Sequence, residues 1–257
     1  MQRQPPMGRI AIISDIHGNL TALEAVLADI DVREIERVLG LGDVIGKGPR
    51  GSECVAVSRA RCEVTVRGNW DTFISDDTIE LGPETQWTRD LLTDDDLKWL
   101  SALPNAHDLV LSGRRVRLFH ASQTSEFHRV RARHTVEEFR GMFTNTEFTG
   151  GFMGDVATPD VVGYGDIHGA YLEADEGLTL FNAGSVGNHL DAPSAVYVVL
   201  EGVVDSPEPG PFSITFVRVP YDIEAEIRTA RELGLPDVEA YAVELRDGIY
   251  RGKQRRP

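Results

Sequence analysis

An unbroken apolar run, Ile10-Ala11-Ile12-Ile13, opens the patterned part of the chain and has the length of a buried strand. The period then changes. Leu20, Leu23, Val26, Leu27 and Ile30 recur at helical spacing, with Asn19 standing where a cap belongs. Residues 38–43 predict a second buried strand, whose glycines suit close packing or close approach to a ligand. Gly46-Lys47-Gly48-Pro49 reads as a turn, with Pro49 at the first position of a helix reaching about Ala60. Residues 63–66 predict a third strand. From 76 to 104 the segments turn acidic, polar and helical. They carry Trp87, Leu91, Leu92, Leu97, Trp99 and Leu100, and read as a cap-like excursion whose aromatics pack it onto the main body. A hairpin follows, 108–111 with 116–119, then a polar loop at 121–134 and a short helix at 136–143. Strands are expected at 161–164, 178–181, 195–200 and 213–219, and a helix at 223–233.

This alternation of strands and helices predicts an α/β fold. Residues 8–257 are expected to form one domain, with 76–104 as a helical insertion and 1–6 as a loose tail. Residues 251–257 carry four basic side chains and read as a solvated tail.

Composition narrows the function. Lys and Arg number 26 against 41 Asp and Glu, a net charge of −15. Such a surface repels bulk nucleic acid and anionic membrane, but admits a small anionic substrate drawn to a locally positive metal centre. No span approaches the roughly 18 apolar residues of a transmembrane helix, and residues 1–7 lack the apolar core of a secretory signal. The two cysteines, Cys54 and Cys62, read as buried thiols in a reducing compartment. The expected location is the cytoplasm. A homo-oligomer is left open.

Five predicted elements end in residues able to ligate a metal: Asp15 and His17, Asp43, Asn69, His120, and Asp166 with His168. The ends of strands in α/β sheets are where ligands bind. Taken singly, Asp43 and Asn69 read better as helix caps and His120 as a core histidine. Taken together, three carboxylates, three imidazoles and one amide exceed the needs of one tetrahedral ion. They suit two divalent ions sharing a carboxylate.

The ordered set Asp15-x-His17, Gly42-Asp43, Gly68-Asn69-x-Asp71, His120, Gly165-x-x-His168 and Asn182-x-Gly184-Ser185 resembles the calcineurin-like metallophosphoesterases over residues 8 to about 220. The resemblance implies a four-layer αββα sandwich, two mixed sheets flanked by helices, with the metals at strand ends. It implies that Asp15, His17 and His168 hold one ion, that Asn69 and His120 hold the other, and that Asp43 bridges; Asp43, Asn69 and His120 are then also catalytic. Two departures stand out. Asp166 occupies a place where the family has a histidine ligand; as a ligand it would make the site more anionic and favour a harder ion. Trp70 occupies a place where many members have a histidine that serves the phosphate or the leaving group. Indole can only donate a hydrogen bond, and small members lacking this histidine are associated with phosphodiester cleavage. Asp71 could orient its neighbours or cap a helix.

The activity so implied is phosphoester hydrolysis by in-line attack of a metal-bridging hydroxide, phosphodiesters favoured, with manganese the foremost ion and iron, zinc, nickel or magnesium as alternatives. No nucleophilic side chain is needed, so Ser14 and Ser185 read as structural. Arg129, Arg131 and Arg133 form a basic cluster in an acidic chain, either a solvated loop or a clamp on substrate phosphate. Alternatives are a phosphomonoesterase acting on a nucleotide or phosphoprotein, a catalytically weak metal- or nucleotide-binding regulatory relative, and another dinuclear hydrolase such as an amidase.

Overall fold

A computed structural model describes residues 7–254. The tail expected at 1–6 and the last three residues of the tail expected at 251–257 lie outside the described residues. The strands, in chain order, are β1 (Gly8–Ile13), β2 (Arg37–Gly40), β3 (Val64–Thr65), β4 (Ala106–Leu111), β5 (Arg114–Phe119), β6 (Val161–Tyr164), β7 (Tyr171–Asp175), β8 (Leu178–Asn182), β9 (Ala195–Gly202) and β10 (Phe212–Val219). They form two five-stranded sheets, ordered β10-β9-β1-β2-β3 and β4-β5-β6-β8-β7. β1, β2 and β3 run parallel in the first sheet, and β5, β6 and β8 run parallel in the second. The remaining pairings are antiparallel.

Alternation along each strand sorts side chains into layers. Ile10 and Ile12 of β1 meet Val116 and Leu118 of β5, with Phe181 and Leu200, in a core between the sheets. Ala11 and Ile13 face the other way, into a core shared with α1 (Leu20–Val32), α2 (Gly51–Arg61), α3 (Asn69–Ser75) and α5 (Asp94–Ser101). The outer face of the second sheet buries Phe119, Val162, Tyr164 and Leu180 against Phe139 and Met142 from the region of α6 (Val136–Gly141). The result is the expected sandwich of two mixed sheets with helices outside.

Two helices, α4 (Pro83–Asp90) and α5, lie between α3 and β4. Leu92, Leu97 and Trp99 pack on the first helical core, and Trp87 packs on the pair α7 (Ile223–Glu232) and α8 (Val238–Asp247).

Two local expectations are corrected, and two elements were not anticipated. Pro49 precedes α2, whose N-cap is Arg50; the Arg50 N–H donates to the Gly18 carbonyl (3.1 Å) and its guanidinium pairs with buried Glu226, so the helix begins two residues later, at Gly51. β7 gives no apolar signal because it is a largely exposed edge strand. α8 buries Glu244 on the same helix as Tyr241 and Leu245, which blurs its amphipathic pattern. Residues 251–254 are not a solvated tail. Arg251 opens a short 3-10 turn and is drawn back by Glu84 of α4 (3.0 Å) and Glu244 of α8 (3.3 Å).

Candidate metal centre

Every expected ligand follows the C-terminal end of a parallel strand: Asp15 and His17 after β1, Asp43 after β2, Asn69 after β3, His120 after β5, and Asp166 and His168 after β6. The loops are knitted together by backbone bonds. Asp15 N–H donates to the Gly42 carbonyl (3.0 Å) and His17 N–H to the Asp43 carbonyl (2.8 Å). Gly165 N–H donates to the His120 carbonyl (2.8 Å) across the second sheet. Asp15, His17, Asp43, Asp166 and His168 all adopt left-handed backbone, with φ of 53°, 52°, 52°, 64° and 60°. Non-glycine residues there are strained by about 1 kcal/mol or more each, and persist only where their surroundings over-determine them. Side chains are excluded at two flanking glycines: a Cβ at Gly68 would collide with the Asp43 carboxylate, and one at Gly165 with Ser14 and Asp15.

The three imidazoles are oriented alike. Nδ1 of His17 meets the Ile45 carbonyl (3.2 Å), Nδ1 of His120 the Leu41 carbonyl (2.6 Å), and Nδ1 of His168 the Asn188 carbonyl. A carbonyl oxygen only accepts, so each Nδ1 carries a proton and each Nε2 is the atom that faces inward, as in metal sites. There His17 Nε2 lies 3.0 Å from His168 Nε2, and Asp15 Oδ1 lies 3.7 and 3.2 Å from these two nitrogens. Asp43 Oδ2 lies 3.5 Å from His17 Nε2, and Asp43 Oδ1 lies 3.4 Å from His120 Nε2. Two overlapping groups therefore have metal-ligand spacing: Asp15, His17 and His168, and Asp15, Asp43 and His120.

The fit to cations is further tested by what these groups lack. Asp15 Oδ1, Asn69 Oδ1 and His120 Nε2 are buried and make no hydrogen bond. Unpaired buried polar atoms are costly, by about 1–3 kcal/mol each, and a bound cation would satisfy these three. The electrostatics agree. Burial and the Lys47 ammonium push the His17 imidazole well below its ordinary value, which keeps it neutral as a ligand must be. Burial works to raise the Asp15 carboxyl, but the neighbouring imidazoles, His168 foremost and then His120, outweigh it and hold the group well below its usual value. Burial opposes charge on His120, yet the adjoining Asp43 carboxylate raises that imidazole well above its usual range. This side of the site calls for positive charge.

A second ring of residues holds the ligands. Asp71 accepts from the backbone N–H groups of Asp43 (2.8 Å), Val44 (3.0 Å) and Gly68 (2.9 Å), so it both caps α3 and fixes the Asp43 loop. Burial, reinforced by the Asp43 carboxylate, pushes its carboxyl up to about 7. Ser14 donates to Asp15 Oδ2, and Ser185 donates to the Asp15 carbonyl (2.7 Å); both are structural, as read from the sequence. Asn182 braces the Gly165 carbonyl, which accounts for the Asn182-x-Gly184-Ser185 signature.

The centre opens into a cavity of about 660 Å³. Trp70 lines it and stands edge-on to His17, ring centroids 5.9 Å apart. Arg129 and Arg131 line it too, whereas Arg133 is exposed and is not among its lining residues. Asp166 joins neither metal-spaced group; its carboxylate is engaged by Arg129. Three contributors were not read from the sequence. Lys47 lies on the wall, donates to Asn188 Oδ1 (2.8 Å) and sits over the Tyr250 ring (5.6 Å). Asn188 serves Lys47 and His168 together. The strap 248–253 closes the far side. Lys47, four residues after Asp43, carried a local signal; Asn188 acts partly through a backbone carbonyl, which no side-chain motif encodes.

Comparison with known proteins agrees with this geometry. Residues 9–203 match the profile of the calcineurin-like phosphoesterase superfamily domain. The chain is 29% identical over 253 residues to an uncharacterized protein of Methanocaldococcus jannaschii, covering 89% of this chain and 94% of that one. It is 26% identical to a metallophosphoesterase from Sphaerobacter thermophilus of known structure, with a TM-score of 0.72 over 94% of this chain and 99% of that one. A hypothetical protein of Pyrococcus horikoshii shares the fold at 17% identity, with a TM-score of 0.73 over the same shares of the two chains. The described residues contain no helix long and apolar enough to cross a membrane. The chain belongs to the calcineurin-like phosphoesterase superfamily and is a metal-dependent phosphoester hydrolase.

Proposed function

We propose that this protein hydrolyses phosphodiesters with two divalent ions, manganese foremost, shared across Asp43. The observation that carries the reading is the placement of the Asp43 carboxylate, whose two oxygens face different imidazoles at 3.5 and 3.4 Å. Asp15, His17 and His168 would hold one ion, and Asn69 and His120 the other. Bound ions supply Lewis acidity, which makes a nucleophile available at neutral pH and offsets phosphoryl charge. The chain's own part is orientation. Trp70 donates its backbone N–H to Asp43 Oδ1 (2.8 Å), Asp71 holds the same loop, and the three backbone carbonyls keep the imidazoles aimed.

Diester preference is supported by Trp70, which cannot pass a proton to a leaving group, and by a cavity large enough for a second ester substituent. A phosphomonoesterase is the second reading, favoured by the cations Lys47, Arg129 and Arg131 on the cavity wall, which suit a dianion. The protein should be purified without chelator, its metal counted, and matched aryl mono- and diesters assayed under the metal found. A higher kcat/KM for the diester supports the first reading, and a higher value for the monoester supports the second. A cytoplasmic location belongs to the same proposal, in keeping with two free thiols.

A further inference from the structure

The place where the family has a histidine ligand is filled here by a carboxylate already paired. Arg129 Nε donates to Asp166 Oδ2 (2.7 Å) and Arg129 Nη2 to Asp166 Oδ1 (2.6 Å), the two-pronged geometry that guanidinium and carboxylate share. The pair is layered. The Asp166 side chain is 3% exposed and the Arg129 side chain 45%, so the carboxylate is the inner member and the cation the outer. Both line the cavity beside Asp43 and His168.

Each member is held from behind. Asp166 donates its backbone N–H to Asp15 Oδ2 (3.1 Å) and sits in left-handed backbone. The loop bearing Arg129 is fixed on both sides: buried Glu126 accepts from the Thr72 hydroxyl (2.8 Å), and buried Val130 accepts at its carbonyl from the Tyr164 hydroxyl (2.9 Å). This is not a freely solvated arginine loop.

Charge also balances. A carboxylate and a guanidinium sum to zero, the charge of the neutral imidazole they stand in for. The exchange therefore adds no net charge to the centre, contrary to what Asp166 alone implies. It adds donors. Two N–H groups of Arg129 go to Asp166, and the rest of the planar fork stays available for an anion in the cavity.

We infer that Arg129 forms a subsite for a phosphoryl oxygen of the substrate, and that Asp166 is the positioning residue that holds it there instead of ligating a metal. The inference rests on the phosphoesterase reading of the site, but its test does not need turnover. Metal content per chain and the affinity for inorganic phosphate, by titration calorimetry on manganese-loaded protein, are measured for the wild type, Arg129→Ala, Asp166→Ala and the double variant. Metal content is expected to stay at the wild-type value in all four. Phosphate affinity should fall about tenfold in each single variant, and no further in the double, since Asp166 acts through Arg129. A merely structural Asp166 would add its own loss. If Asp166→Ala does not fold, Asp166→Asn carries the same expectation of unchanged metal and weakened phosphate. Loss of one ion on replacing Asp166, or unchanged phosphate affinity in Arg129→Ala, overturns the inference. A wild type that binds metal and phosphate but cleaves no phosphoester would sink the functional reading alone.

Discussion

The inner rim of the cavity and its outer wall are built by different means. At the rim, Asp15, His17, Asp43, His120 and His168 are buried, sit directly on strand ends, and are aimed by backbone hydrogen bonds. At the wall, Arg129, Lys47 and Arg251 come from loops and the C-terminal strap, and are placed by side-chain partners: Asp166, Asn188, and Glu84 with Glu244. A rim set by backbone holds its geometry whatever substrate is present, as metal ligation requires. A wall set by ion pairs and side-chain hydrogen bonds can change its chemistry by exchanging a few residues, and so is suited to substrate choice.

Substitutions should divide along the same line. Asp43→Ala, at the rim, should have the largest effect: loss of most bound metal and a fall in kcat/KM of about a thousandfold or more, roughly 4 kcal/mol. Full turnover in this variant would remove Asp43 from the bridging role. Asp71→Asn should come next. It replaces an acceptor of three backbone N–H groups with an amide that cannot match them all, so metal affinity should drop about 10- to 100-fold, read by metal titration. Metal affinity equal to the wild type would show that the Asp43 loop keeps its shape without Asp71.

The wall should respond more mildly and in KM. Arg251→Ala frees the strap from Glu84 and Glu244; KM for a bulky diester should rise about three- to tenfold, roughly 0.7–1.4 kcal/mol. Metal content should not move, and a lost ion would place the strap in the centre itself. Trp70→His should have the smallest effect, a severalfold shift of the monoester-to-diester kcat/KM ratio toward the monoester, because imidazole can protonate a leaving group and indole cannot. A ratio that stays fixed would mean that position 70 does not set ester preference.

The same contrast explains what could be read from the sequence. Rim residues lie at most four positions beyond the end of a strand, so each announces itself locally: Asp15 and His17 after Ile13, His120 directly after Phe119. Their glycine neighbours Gly68 and Gly165 are needed because carboxylates pass where a side chain would stand. Wall residues are defined by partners far away in the chain. Arg251 meets Glu84 across 167 positions, and Arg129 meets Asp166 across 37. Neither pairing leaves a periodic trace. A basic C-terminal stretch in an acidic chain therefore read as a solvated tail, and nothing in the sequence joined Asp166 to Arg129. The fold was legible where layers alternate cleanly, as in β1, α1, β6 and β9. It was not legible in β7, an exposed edge, or in α3, a seven-residue helix whose opening residue is itself an expected ligand.

The central claim is that two divalent ions share the Asp43 carboxylate. Elemental analysis of protein purified without chelator tests it most directly, with Asp43→Ala measured alongside. The account predicts two ions per chain in the wild type and loss of most of both in the variant. A wild type that hydrolyses phosphoesters with one ion per chain, or a variant that retains both ions, would contradict it.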